Sequence, residues 1–255
     1  MGRPQQTPRR QDAESSDALT PSTDRRGFLR LAAGSGAAGL VAACGWDGGN
    51  WLRPRLLSVS RLNDWVSEKV LYSPTRLART YSPAERSPSL PSYFISSEMP
   101  TLQDPSAWRL KVDGLVANPL SLTLDDLRSM PATSYTVKHH CVEGWTGIAS
   151  WTGAPVSTIV QRCQPKAAAR YIMFRSFDSD YSNGWDLASA MHPQTILAYA
   201  MNDRALGADH GAPLRLYSPT KLGYKMTKYL VSMTFMDTRP GGYWEDQGYP
   251  WFAGI

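Results

Sequence analysis

Short apolar segments with a period of two recur along residues 108–236, several of them separated by glycine, proline or an Asn-Asp pair. That rhythm restricts the fold more than any other feature, because it demands strands and leaves little room for long helices. In WRLKVDG, Trp108, Leu110 and Val112 alternate up to an Asp113-Gly114 turn, and LSLT alternates again. Tyr135, Val137 and His139 alternate on a strand running into Cys141. RYIMFRSF, TILAYAM, APLRLYS and KYLVSMTFM read as further strands, with Asn202-Asp203 as a turn. Helical spacing is confined to short stretches. One covers Leu62–Tyr72; a second, 124–130, is opened by a Thr123/Asp126 capping box and stopped by Pro131. Pro155 opens a third, with Val156, Ile159, Val160 and Cys163 on one apolar face. There is no βαβ rhythm, no internal repeat and no Gly-rich phosphate loop. The expected class is α+β: a mixed-sheet, strand-rich domain with short helices. Nine tryptophans and twelve tyrosines supply enough apolar area that the core needs no disulfide staples.

The front of the chain reads as an address. Residues 1–24 are Pro/Gln/Ser/Thr-rich without aromatics, a composition that cannot build a core. DRRGFLRLAAGSGAAGLVAAC follows: twin arginines Arg25 and Arg26, Phe28-Leu29, the weakly apolar run Leu31–Ala43, and small residues before Cys44. This is the pattern of a twin-arginine export signal. The run is too short and too glycine-rich for the ~20 apolar residues that span a bilayer. VAAC also reads as a lipobox, with lipidation of Cys44 and a cut nearby that discards it both open. Folded export is a first pointer to a cofactor inserted before transit. The expected divisions are a leader and signal at 1–44, an extension at 45–92 that wraps the core, a domain at 93–243 where regular structure begins, and a tail at 244–255.

The formal net charge is +5, of which the first 44 residues carry +2. That excess is too modest to announce nucleic acid, and no recognition motif for it is present. A local basic cluster suits a small anionic ligand better.

After signal removal, Cys141 and Cys163 are the certain thiols. A disulfide between them is one reading in an oxidising compartment. Cys163, on an apolar helix face, fits a buried structural thiol. KHHCVEGW (residues 138–145) invites a zinc reading through His139, His140 and Cys141, but consecutive strand residues point to opposite faces and no CxxC completes a tetrahedron. A Cys-His hydrolase remains open. A lone thiolate on a soft metal whose other ligands belong to an organic cofactor accounts best for its isolation.

At this point the chain resembles the sulfite oxidase family of molybdopterin enzymes, nearest the periplasmic branch that includes protein-methionine-sulfoxide reductase catalytic subunits. The resemblance runs from about Tyr93 to Tyr243. It is carried by WRLKVDGLVANPLSLTLDDLRSMP, HHCVEGW, NGWDLASAMHPQTILAYAMND, and HGAPLRLYSPTKLGYKMTKYL ending at GGYW. It implies that Cys141 binds molybdenum beside the dithiolene of one pyranopterin (Mo-MPT). It implies further that Ser176, His210, Arg215, Lys225, Met226, Thr227 and Lys228 bind the cofactor, with Lys221 in the same stretch. A phosphate-bearing group wants an arginine fork, lysines and free N–H groups; the plainer reading of the three lysines is solvated surface charge. Tyr181 corresponds to an active-site tyrosine, or is a packed core-edge residue. YFISSEMP (93–100) departs from the family in lacking an asparagine, with Phe94 and Ser97-Glu98 in its place.

The expected function is therefore an exported molybdenum oxidoreductase performing two-electron oxygen-atom transfer. No arginine adjoins Cys141 to hold sulfite, which favours reduction of an S-oxide of the methionine-sulfoxide kind. No haem domain or C-terminal dimerisation domain is recognisable, so a membrane b-type cytochrome is the expected electron partner. Sulfite oxidation, a cofactor-free binding lipoprotein, and a thiol enzyme using Cys141 as nucleophile are the rivals.

Overall fold

The structure is a computed structural model that describes residues 58–59, 61–102, 104–178 and 180–255. The leader, the twin-arginine segment and Cys44 lie outside the described residues. Among the described residues, no helix is long and apolar enough to cross a membrane.

Two five-stranded sheets form the body. In chain order the strands are β1 (Leu110–Gly114), β2 (Leu120–Leu122), β3 (Thr133–His140), β4 (Thr146–Pro155) and β5 (Tyr171–Ser176). Then come β6 (Ser182–Asp186), β7 (Ile196–Met201), β8 (Arg204–Ala205), β9 (Arg215–Tyr217) and β10 (Leu230–Met236). The first sheet runs β2-β1-β10-β5-β6, with β1 parallel to β10 and the other pairs antiparallel. The second runs β3-β4-β7-β8, and β9 pairs with β7. The mixed-sheet α+β expectation holds.

The helices are short. α1 covers residues 61–71, α-helical to 66 and π-wound over Ser67–Leu71. α2 (Leu124–Arg128) starts with the expected box: the Thr123 hydroxyl accepts from Asp126 N–H while the Asp126 carboxylate accepts from Thr123 N–H. α3 (Val156–Cys163) buries the four residues that its periodicity singled out. α4 (Leu187–Ala190) is one turn, capped by Asp186. The larger apolar cluster joins α3 to the first sheet through Leu110, Val112, Ile159, Ile172 and Phe235. The smaller one gathers Tyr135, Val137, Trp151, Tyr217 and Met226 on the second sheet.

One expectation needs correction, two strands went unread, and one open reading is closed. The short helix expected over Leu62–Tyr72 is present as α1, but beyond it regular structure does not resume at Tyr93: a 3-10 turn at Pro83–Glu85 precedes it and the first strand starts at Leu110. Residues 86–109 carry Pro88, Pro91, Pro100 and Pro105, which interrupt any ladder. Two strands gave no alternating signal. β4 is buried on both faces, so its pattern is not two-sided; β6, Ser-Asn-Gly-Trp-Asp, is written in turn residues. Cys141 and Cys163 are both free thiols, so they form no disulfide.

The segments flanking the sheets are tied to them by polar contacts. Tyr81 N–H donates to Thr136 C=O, Ser87 N–H to Ile148 C=O, and the Arg86 guanidinium reaches Ser150 Oγ and Asp203. At the other end Trp251, Phe252 and Ala253 are buried, and the Asp64 carboxylate of α1 accepts from Phe252 N–H and Ala253 N–H.

Candidate active site

A cavity of about 410 Å³ opens where strand ends from both sheets converge. Cys141 follows β3, Ser176 closes β5 and Arg215 opens β9; all three line the cavity.

Cys141 sits in the tight β3–β4 turn. Its N–H donates to Trp145 C=O at 3.0 Å, and Gly144 N–H returns to Cys141 C=O at 3.1 Å. Gly144 has φ +88°, a conformation that glycine takes without steric cost, so the GW after the cysteine is what lets the chain reverse there. The thiol is half-buried at the cavity wall, and burial pushes its pKa up. Beside it His139 is buried and stacked on Tyr217, with the Trp145 ring tilted against it. Burial drives the His139 pKa down to about 3, which leaves the ring neutral. A side chain at Gly223 would collide with it: a Cβ there would lie 2.6 Å from His139 Nε2.

The same cavity carries cations. Arg215 is buried, its guanidinium lying 4.9 Å from the Trp151 ring centroid. Nη1 donates to His210 C=O at 3.1 Å and Nη2 points to Met226 C=O at 3.4 Å. Nε has no partner, and among the described residues no carboxylate pairs with the group. Burial lowers its pKa only to about 10, so it is a charged, uncompensated cation at neutral pH. Lys228 Nζ reaches Asp209 C=O at 3.0 Å and Ser92 Oγ at 3.2 Å. Burial, then Arg215, lowers its pKa to about 7. His210 is lowered by burial, against the pull of Asp209, whose Oδ2 lies 3.5 Å from Nε2.

A strap, residues 91–96, closes one side. Asp178, buried just past β5, accepts from Ile95 N–H at 2.8 Å, Ser96 N–H at 2.9 Å and the Ser96 hydroxyl. The Ser92 hydroxyl donates to Asp209 C=O at the other end. Between these latches, Tyr93 and Phe94 present their rings at the mouth.

Of the residues named from sequence, Cys141, Ser176, Tyr181, His210, Arg215, Met226 and Lys228 meet around this cavity. Tyr181 donates its hydroxyl to Tyr224 C=O, and burial raises its pKa far above the phenol range. Ser176 Oγ accepts from Asp178 N–H. Lys225 goes elsewhere: its ammonium is buried against Glu245 and donates to Gly184 C=O, away from the cavity lining. Lys221 is likewise buried, bonded to Phe252 C=O and 3.7 Å from Asp186. Neither is the solvated surface lysine of the plainer reading. Thr227 is buried with its hydroxyl unpartnered. Sequence reasoning missed His139, Asp178 and Tyr229 as cavity residues. An aspartate in a polar loop or a tyrosine beside a lysine carries no local mark, although the alternation of β3 did turn His139 inward.

A test of fit for a pyranopterin lies in the buried atoms without partners. His139 Nδ1, Arg215 Nε and Tyr229 OH belong to cavity residues, and Thr227 Oγ1 sits next to Lys228. Such groups cost about 1–3 kcal/mol each when unpaired. Together with the thiol and the cations that line the same cavity, they suit a polar, anionic group ending near a soft metal. The residues fit.

Residues 96–244 match the family described as "Oxidoreductase molybdopterin binding domain". A protein of Azospira oryzae, provisionally named protein-methionine-sulfoxide reductase subunit YedZ1, is 37% identical over 90% of this chain and 87% of its own length. The protein-methionine-sulfoxide reductase catalytic subunit MsrP of Ralstonia nicotianae is 34% identical over 55% of this chain and 47% of its own. The chain thus matches about half the length of that relative. The MsrP of Campylobacter jejuni is 25% identical, over 91% and 80% respectively. Among solved structures, the sulfane dehydrogenase SoxCD of Paracoccus pantotrophus matches with a TM-score of 0.53 and 23% identity, covering 56% of this chain and 41% of that one. That likeness is one of fold.

Proposed function

The chain belongs to the molybdopterin-binding oxidoreductase family and is an oxidoreductase; from that premise we propose that it reduces an S-oxide by two-electron oxygen-atom transfer. One observation carries the reading. A lone thiol, Cys141, faces the same cavity as an uncompensated buried cation, Arg215. A nucleophilic thiol enzyme would need a base beside the sulfur, and His139, its pKa driven down to about 3 by burial, is too weak a base to take the thiol proton. A cofactor-free binding protein would have no use for a buried charge left without a partner.

In this reading Cys141 Sγ holds molybdenum, while Arg215, Lys228, His210 and Thr227 receive the polar, phosphate-bearing edge of the pyranopterin. Met226 contributes its backbone and Ser176 its hydroxyl. When bound, the group supplies the two-electron couple. In the net reaction a sulfoxide takes up two electrons and two protons, its sulfur–oxygen bond breaks, and a sulfide and water leave. The protein must therefore bring protons to the departing oxygen. The Tyr181 hydroxyl keeps its proton at any physiological pH, because burial disfavours the phenolate. In this reading it would donate a hydrogen bond to the oxide oxygen in exchange for the one it now gives Tyr224 C=O. Tyr93, Phe94, Val142 and Trp145 make an apolar mouth that accepts the carbon flanks of the substrate.

Electrons come from a separate partner, a membrane b-type cytochrome. The names of the MsrP relatives support a division of labour, since each is called a catalytic subunit. The twin-arginine segment supports export in folded form to the periplasmic side, with Cys44 as a lipid attachment point.

Protein purified from a host that makes the cofactor should carry about one molybdenum per chain, lost in Cys141→Ser. With a reduced viologen as electron source, methionine sulfoxide should be consumed by the wild type only. Absence of molybdenum from the wild type would sink the assignment. Sulfite oxidation without any sulfoxide reduction would reverse the direction.

A further inference from the structure

α1 is built inside out. Val59, Leu62, Trp65, Val70 and Leu71 are 64, 61, 55, 63 and 61% exposed, whereas the one buried residue of 61–71 is Asp64. Within α1, Leu62 and Trp65 sit on the face turned away from Asp64. The carboxylate points into the protein, where Phe252 N–H, Ala253 N–H and Arg239 hold it. This helix therefore docks through a polar anchor and turns its apolar stripe outward. A stretch this short is marginal as a helix in water unless that stripe is covered.

We propose that α1 is a membrane-surface helix that lies in the interface of an anionic bilayer. The inference stands apart from the oxidoreductase reading. Charge selects the occupant. Residues 53–71 contain Arg53, Arg55, Arg61 and Lys69, against Glu68, which pairs with Lys69 at 2.6 Å, and the inward Asp64. The balance of this stretch is positive. A tryptophan with aliphatic neighbours and flanking cations is the composition that partitions to the headgroup boundary. A second copy of this chain would set cation against cation across a two-fold contact. The chain itself supplies proximity: Cys44, the lipid attachment point of the proposed function, lies a short way upstream, and the link from Cys44 to Val59 spans at most about 50 Å when extended. Two weak membrane signals in series are what stable surface attachment requires.

Flotation of the full-length protein on vesicles tests this, in a Cys44→Ser background that removes any covalent lipid. The parent should float with phosphatidylethanolamine/phosphatidylglycerol vesicles, less so with phosphatidylcholine or at high salt. Leu62→Ser/Trp65→Ser should weaken partitioning by about tenfold or more, with an unchanged thermal melt because both side chains face outward. Absence of flotation of the Cys44→Ser parent, or equal flotation of the double variant, overturns the proposal. So does a dimer seen by sedimentation velocity that the double variant dissolves, which assigns the face to a second copy. Capture of a membrane protein in detergent, lost in the double variant and unaccompanied by vesicle binding, assigns it to a protein and also overturns the lipid. If wild type and Cys44→Ser float equally, Cys44 carries no lipid, and the helix result supports the proposal unaided.

Discussion

Between His210 and Lys228 the chain buries two groups of cations and treats them in opposite ways. Lys221 and Lys225, under the C-terminal segment, are each given a carboxylate: Asp186 at 3.7 Å for the first, Glu245 for the second. Aromatic faces complete their surroundings, with Phe252 over Lys221 and Trp251 over Lys225. Arg215, at the cavity, receives only carbonyl oxygens from the protein, and Lys228 bonds a carbonyl and a hydroxyl, with Asp178 and Asp209 close enough to favour its charge but not paired with it. A buried charge with an internal partner is part of the scaffold. One left with dipoles alone is arranged for an anion that arrives from outside. The difference separates structure from binding more sharply than residue type or sequence position does.

Substituting one member of each group tests that difference. Lys225→Met leaves Glu245 buried without its cation and should destabilise the fold by about 3–5 kcal/mol, seen as a large drop in melting temperature. Loss of molybdenum at unchanged apo stability would instead return Lys225 to the binding group. Arg215→Met should do the reverse. Molybdenum content falls by about 10- to 100-fold, the worth of a charge-assisted hydrogen bond, while the apo protein melts at the same temperature or higher. A destabilised apo protein would show that Arg215 is scaffold too. Lys228→Met, on the half-buried rim, should cost about tenfold in cofactor retention by the same measurement.

A pH titration sharpens the contrast. Lys228, with its pKa lowered to about 7, is charged below neutrality and loses its proton above it. Sulfate stays a dianion throughout this range, so its affinity for the apo protein should decline as pH rises from 6 to 8, a change of a few-fold. Lys228→Met should flatten the curve; an unchanged slope would place the titrating group elsewhere. The smallest effect is expected at the strap. Asp178→Asn removes an acceptor for Ile95 and Ser96 N–H, so amide exchange at those residues should quicken. The KM for sulfoxide should rise a few-fold with little change in kcat. A fall in kcat alone would mean that Asp178 acts at the reacting atoms.

Much of the fold was legible because its signals are local. The Thr123/Asp126 box, the apolar face of α3 and the alternation of β1, β3 and β10 are written within a few residues and appear as read. β4 was illegible for a physical reason: a strand covered on both sides has no polar face to alternate with. β6 was hidden by Asn-Gly, which reads as a turn until Phe174 and Trp185 are packed against each other across the pair. At the site, the motif segments brought Cys141, His210 and Arg215 to attention, yet the stretch Lys225-Met226-Thr227-Lys228 could not be sorted by inspection. A 3-10 turn at Gly223–Lys225 sends the Lys225 ammonium to one side, and Lys228 emerges on the other.

By itself, the sequence determined the strand-rich class, the caps and turns, the family, and the thiol and cations of the site. Each of these depends on residue type and spacing along the chain, which folding does not alter. Tertiary structure alone decided which cations found carboxylates, which polar atoms were buried without partners, and that α1 faces its apolar side outward. Those outcomes depend on groups distant in sequence, such as Lys225 with Glu245, Asp178 with Ile95 and Asp64 with Phe252, whose pairing no local pattern records.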